Sequence, residues 1–427
     1  MDKKPTFVIS CPFDTMSGYG ARSRDIIKSI IETNKYNVKL LPQRWGETAW
    51  GFCKDHKEWE FLLDYKIEGQ LTEKPDIWMQ ITIPNEFQPL GKYNIGCTAG
   101  IEATFCKAEW VMGLNKMDLN FVSSNFAKET FKRSKYQQKD KRTGQLTQNI
   151  ELQKPIEVIF EGVDIERYLP KPSTKIDLSN VKESWCYLFV GHWMKGDFGH
   201  DRKNVSLLVK AFYETFKNKK DKPALILKSS IGSSSYMSRD EILKKIKKIR
   251  DSVNSQNLPN IYLFNGEVTD EEMNQLYNHP KVKAMVSLTK GEGFGRPLLE
   301  FSLINKPIIT TNFSGHTDFL DPQFTTLLNG ELEKIHKSAA NDWLIGEAEW
   351  FKVDAGEVGK SLKSVYRNYK DYKIKAKKQG YQNRNKFNHQ KMSELVKNIL
   401  DKNIPDFPKQ VDLVLPDLKL PKLKKVD

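Results

Sequence analysis

The chain has 427 residues, 39% of them hydrophobic and 29% charged, with a formal net charge of +14. That length admits two or three domains with separate cores, and the composition excludes a disordered chain. A positive field of this size favours an anionic partner such as nucleic acid, anionic lipid or a phosphorylated substrate, although lysine-rich stretches such as EILKKIKKIR and KDYKIKAKKQ serve equally as solvated outer faces.

Segment 6–10 (TFVIS) reads as a strand, followed by a turn containing Gly18, Tyr19 and Gly20. Ile26, Ile27, Ile30 and Ile31 then recur at helical spacing, and 36–41 is again strand-like. Strand, glycine turn, helix and strand make a βαβ unit. Further strands are expected at 77–83, 119–122 and 156–160, with a polar loop or hairpin over 139–153. The composition resets after the Pro-Lys-Pro-Ser stretch at 170–173. Beyond it, strands at 185–190, 224–228, 261–264, 283–288 and 307–311 alternate with helices at 205–216, 239–253 and from Thr269 onward. Thr269 and Glu272 have the spacing of a capping box. From about 339 to 402 the pattern turns helical, and 403–427 is rich in proline and lysine.

This alternation specifies an α/β protein of two Rossmann-like, doubly wound domains facing across a cleft, with a helical C-terminal segment. The expected division is a first Rossmann-like domain at 1–172, a second at 173–375, a helix at 376–402 free to cross back to the first domain, and a tail at 403–427. No run reaches the length of a membrane span, and the start lacks the apolar core of a signal peptide. Five scattered cysteines without CxxC spacing fit buried thiols in a reducing compartment, so a cytoplasmic location is expected, with peripheral membrane contact an open option.

The densest chemistry lies in KGEGFGRPLLE, residues 290–300. Glycines at 291, 293 and 295 allow sharp turning and close approach of backbone to a ligand. Pro297 suits the first residue of a helix, whose free amides favour a phosphate or an anionic sugar oxygen. Glu292 and Glu300 are acceptor-only groups suited to vicinal hydroxyls. By contrast, the turn Gly-x-Gly-x-x-Ser at 18–23 lacks the third glycine of a dinucleotide fingerprint, and the strand after it ends without an acid, which disfavours an oxidoreductase.

Glu292-Gly293-Phe294-Gly295, Pro297 and Glu300 resemble the E-x7-E signature of retaining GT-B glycosyltransferases of family 4, the glycosyl transferases group 1. Agreeing segments occur in order: 93–102 (YNIGCTAGIE), 120–126 (NFVSSNF), 161–164 (EGVD) before Arg167 and Tyr168, 189–191 (FVG), 202–204 (RKN) and 210–212 (KAF). The resemblance covers most of 5–320. It implies a nucleotide-diphosphate sugar as co-substrate, with UDP the default because it is common among relatives, and neither a further cofactor nor a metal. Glu292 and the amides of Gly293, Phe294 and Gly295 would hold the donor sugar. Glu300 would bind the ribose, and Arg202 and Lys203 the diphosphate, with Lys228 a second candidate. Gly18, Tyr19 and Gly20 would close over the diphosphate from the other domain. Glu102 stands where many relatives place a histidine, and either accepts the nucleophile's proton or orients a sugar hydroxyl, or instead caps a helix. His192 stands where many relatives carry an arginine. His316 either lines the cleft or is structural.

The resemblance implies transfer of a sugar to a hydroxyl, with Glu292, Glu102 and Lys203 as the catalytic set. Two acceptor classes fit the charge: a hydroxylated base in phage-type DNA within a host cytoplasm, and a membrane lipid or cell-envelope glycan. A non-catalytic nucleotide-sugar or nucleic-acid binding module is the alternative of another class.

Overall fold

The computed structural model describes residues 4–407 except 47, 70, 72, 141 and 233. The first half runs β1 (Thr6–Cys11), α1 (Gly18–Glu32), β2 (Asn37–Pro42), α2 (Phe52–Asp55), β3 (Ile77–Ile81), β4 (Tyr93–Cys97), α3 (Ala108–Asn115), β5 (Leu119–Val122), α4 (Asn125–Arg133), β6 (Tyr136–Lys139), β7 (Leu146–Ile150) and β8 (Ile156–Val158). Six of these strands form a parallel sheet in the order β2-β1-β3-β4-β5-β8. β1 and β3 are buried on both faces, as helix-covered parallel strands must be, so their sequences read as continuous apolar runs. The polar stretch near 139–153 is the β6–β7 hairpin.

The second half runs β9 (Cys186–Val190), α5 (Val205–Phe216), β10 (Ala224–Lys228), α6 (Tyr236–Asp251), β11 (Ile261–Phe264), α7 (Asp270–Asn278), β12 (Val282–Ser287), α8 (Arg296–Ser302), β13 (Ile308–Thr311) and β14 (Thr326–Leu328). Its parallel sheet has the order β11-β10-β9-β12-β13-β14. The strand order therefore reverses between β9 and β12, the crevice where doubly wound sheets bind ligands. The expected capping box starts α7, with Thr269 and Glu272 each bonded to the other's backbone. Pro297 is the second residue of α8, behind Arg296, rather than the first.

The region from 339 to 402 differs from the expected helical pattern. It begins within an antiparallel arm, β15 (Gly330–Lys334) and β16 (Glu349–Val353), and only then continues as α9 (Ala355–Arg367), α10 (Tyr369–Lys386) and α11 (His389–Asn403). Ile335, Ala339, Leu344, Ala348 and Trp350 of the arm share one buried cluster with Trp110, Val111 and Phe131 of the first half. The single helix expected at 376–402 is thus two, broken at Phe387 and Asn388, where the Asn388 side chain caps α11. α11 lies on α1, and its Met392, Val396 and Leu400 complete the first sheet's core beside Ile26, Ile27 and Ile30. Residues 408–427, most of the expected tail, lie outside the described residues. No described helix is long and apolar enough to cross a membrane.

Leu400 is fully buried although it lies far along the chain from the sheet it covers. Leu400→Ala should lower unfolding free energy by about 2–5 kcal/mol, measured by urea denaturation. A loss below about 1 kcal/mol would show that α11 contributes little to that core.

Candidate active site

The crevice at the β9/β12 reversal is built by two loops, 191–204 after β9 and 288–295 after β12. The second loop is pressed between halves. A Cβ on Gly291 would stand 2.2 Å from the carbonyl oxygen of Glu102, and one on Gly293 would stand 2.9 Å from that of Ala99. These two glycines therefore permit the approach of another stretch of the same backbone, a role beyond the turning and ligand approach expected from the sequence. Gly295 has φ +96 and caps α8, a conformation that a side chain would strain. The Phe294 ring is buried against Phe319, so only its backbone remains for binding. Among the described residues the amides of Gly293, Phe294 and Gly295 donate to no group.

Four charges converge beside this loop. Lys203 donates to both oxygens of Glu292, at 2.5 and 2.7 Å. One nitrogen of Arg202 lies 3.6 Å from Glu292 and 3.3 Å from Glu102, and donates to the carbonyl of Gly291 at 2.9 Å. Glu102, of the first half, and Glu292, of the second, thus flank a single guanidinium. Burial alone would push the Glu292 carboxyl up, but the Lys203 and Arg202 cations more than reverse this and hold it at about 2. Burial pulls Lys203 below its ordinary value even against the field of Glu292. Arg202 is also opposed by burial, yet Glu102 and Glu292 raise it. The loop is held from behind by Ser314, which accepts from the Glu292 amide at 2.8 Å.

Glu300, one turn into α8, accepts from Tyr277 at 3.2 Å and from Arg296 at 3.2 Å. Arg296 also reaches Asp25 of α1 at 2.8 Å, a second link between halves. Lys228 is half-buried at the end of β10 and donates to the carbonyl of Gly266 at 2.6 Å, so it is not a member of the four-charge cluster. His192 is exposed and bonds Ser230 at 2.9 Å. His316 is fully buried, with Nε2 on the Thr311 carbonyl and Nδ1 without a partner among the described residues.

The glycine turn of the first half divides into three different roles. Gly18 faces open space, whereas a Cβ on Gly20 would meet the Thr15 carbonyl at 2.3 Å. Tyr19 stacks on Trp45 and bonds Thr98 and the Ala99 amide through its hydroxyl. It therefore positions the loop that carries Glu102. Tyr277, Arg296, Asp25 and Ser314 escaped the sequence reading. Arg296 stood inside the motif, but its partner Asp25 is 271 positions away and carries no local signal. Among the described residues no group of three or more His, Cys, Asp or Glu side chains is placed to hold a metal ion.

Burial drives the Glu300 carboxyl up to about 7 from an ordinary 4.5; Asp270 adds to the rise, while Arg296 and Tyr277 oppose it. Its contribution to stability is therefore fully present below 4.5 and lost as pH rises through about 7. Glu300→Gln, neutral throughout, should exceed the parent by about 2–3 kcal/mol at pH 8 and match it near pH 4 in chemical denaturation. An equal gap at both pH values would contradict this assignment.

The family described as glycosyl transferases group 1 matches residues 193–344, which include the 288–295 loop and all but the first two residues of the 191–204 loop. No curated protein sequence matches the chain. Among solved structures, a glycosyltransferase from Rickettsia africae is similar over 95% of this chain and 100% of its own, with TM-score 0.62 and 14% identity. A sucrose-phosphate synthase from Thermosynechococcus elongatus is similar over 94% and 99%, with TM-score 0.60 and 12% identity. HepE from Anabaena, solved in complex with UDP and glucose, is similar over 93% and 100%, with TM-score 0.58 and 12% identity. At these identities the likeness is one of fold. Residues 193–344 thus match the model of glycosyl transferases group 1, and the two parallel-sheet halves have the GT-B fold of these neighbours.

Proposed function

We propose that this protein is a retaining glycosyltransferase that moves a sugar from a nucleotide-diphosphate sugar, UDP by default, to a hydroxyl acceptor. The observation that carries the reading is the Lys203–Glu292 pair with Arg202 at the β9/β12 crevice. Support for UDP comes from fold neighbours, since HepE was solved with UDP-glucose and another neighbour is a UDP-forming trehalose-phosphate synthase from Burkholderia vietnamiensis.

In this reading Lys203 and Arg202 turn from the carboxylates to the diphosphate and neutralise the charge that develops as the sugar–phosphate bond breaks. Lys228 stands by as a further cation at the end of β10. Glu292, ionised at any working pH, and the free amides of 293–295 hold the sugar hydroxyls, while Glu300 takes the ribose hydroxyls. Gly18, where a Cβ would meet nothing within 4 Å, leaves room for the phosphates. The acceptor oxygen forms its new bond to the anomeric carbon on the face the diphosphate leaves. Its proton passes to the leaving phosphate, with Glu102 orienting the acceptor hydroxyl. The closed approach of the two halves excludes water from this step.

The acceptor enters from the side of Glu102. A hydroxylated DNA base, and a membrane lipid or cell-envelope glycan, are the two acceptor classes that could use the net charge of +14. A donor-hydrolysis screen across UDP-, GDP- and ADP-sugars, alone and with hydroxymethylated duplex DNA or lipid vesicles, tests donor and acceptor together. Glu292→Ala should reduce turnover about 100-fold or more. Undiminished turnover would overturn the donor-site assignment, and nucleotide-sugar binding without turnover in the parent would indicate a binding module instead.

A further inference from the structure

Lys290, the first residue of the crevice loop, is 1% exposed and takes no part in the chemistry above. Its ammonium lies 2.5 Å from Glu333 of β15 and over the ring of Trp350 of β16, 5.4 Å from the centroid. Its amide donates to the Arg202 carbonyl at 2.7 Å, and its own carbonyl accepts from the Phe351 amide at 2.9 Å. One residue thus joins the arm, through both side chain and backbone, to the residue bearing the shared guanidinium. The arm is fixed at its other side to the first half. Thr104 and Glu349 exchange two hydrogen bonds, amide of Thr104 to carbonyl of Glu349 and amide of Glu349 to the Thr104 hydroxyl, each at 2.9 Å. Thr104 lies two residues beyond Glu102.

We infer that the β15–β16 arm, through the Lys290–Glu333 pair, is a positioning element that sets the Glu292 loop and the Glu102 loop at their working separation. The inference rests on the glycosyltransferase reading for its kinetic consequence but on geometry alone for its structural one. A buried ion pair is a poor way to gain stability, because its desolvation offsets most of its attraction and an apolar pair does as well. What the pair adds is direction: an ammonium hydrogen-bonded at one end of the arm admits one register between arm and loop. The other charged groups acting on Lys290 are Asp201, which favours its charge, and Lys352, which opposes it. None of them replaces Glu333 as a hydrogen-bonded partner.

The test uses the full chain with Lys290→Met, Glu333→Gln and the double variant. Removing both partners should restore the melting temperature lost in Glu333→Gln, because no charge is then buried unpaired. The double variant should nevertheless keep a kcat about 10–100-fold below the parent, with donor KM changed less than about threefold. Amide hydrogen exchange gives the readout that needs no activity. Residues 99–104 and 290–295 should both exchange faster in the double variant, with β9, β10 and β11 unaltered. Parental exchange in both stretches, or a double variant with parental kcat, would overturn the positioning role. Should the parent turn over no nucleotide sugar, the functional reading fails, and the exchange result alone then decides this inference.

Discussion

Four charged side chains with little access to water, Lys203, Glu292, Arg202 and Glu102, set the terms for the rest of the molecule. Two are cations and two are carboxylates, so the cluster is neutral as it stands. Because Glu102 belongs to the first half and the other three to the second, the cluster forms only when both halves present their loops to one point. Gly291 and Gly293 make that approach possible, and Tyr19, the arm and α11 each brace one side of it. A dianionic diphosphate entering the crevice would compete with carboxylates for the same two cations. Under the proposed function, binding is then an exchange of partners rather than capture into an empty cation pocket.

Magnitudes support this view of the pair. At an effective dielectric of about 20, opposite charges in hydrogen-bond contact attract by about 6 kcal/mol before desolvation. Taking two ions out of water costs several kcal/mol each, so the net contribution to folding is small. The pair is thus weak evidence for stability and better evidence for a function that needs charge at this place. Glu300 carries the same lesson with opposite sign. Its carboxyl is pushed up to about 7 by burial, which destabilises the fold progressively as pH rises from 4.5 through about 7.

Much of this was legible in the sequence, for identifiable reasons. Parallel strands covered on both faces read as apolar runs, so five of the six strands of each sheet were visible; β4 lay within a stretch read only as a family segment, and β14 is a short edge strand. The capping box at Thr269 announced itself because both partners are three residues apart. Glu292, Glu300, Arg202 and Lys203 were found through motif spacing, and the fold brings three of them together. The arm was missed because β15 is largely exposed and its apolar contacts come from the loop between strands, which has no regular period. The second role of Gly291 and Gly293 went unseen because a close backbone neighbour from a distant segment leaves no local mark. Phe294 was assigned to the site through its amide, and its ring packs in the core. Lys228 lies at the strand end from which it was picked and donates to the Gly266 carbonyl, outside the four-charge cluster.

The central claim is that Lys203 and Arg202 exchange Glu292 and Glu102 for the diphosphate of a donor. A crystal structure of the complex with UDP tests it most directly. The expected result places phosphate oxygens within hydrogen-bond distance of Lys203 and Arg202, with the ribose hydroxyls on Glu300. UDP bound with the Lys203–Glu292 and Arg202–Glu102 contacts intact, and its phosphates on other residues, would contradict the account.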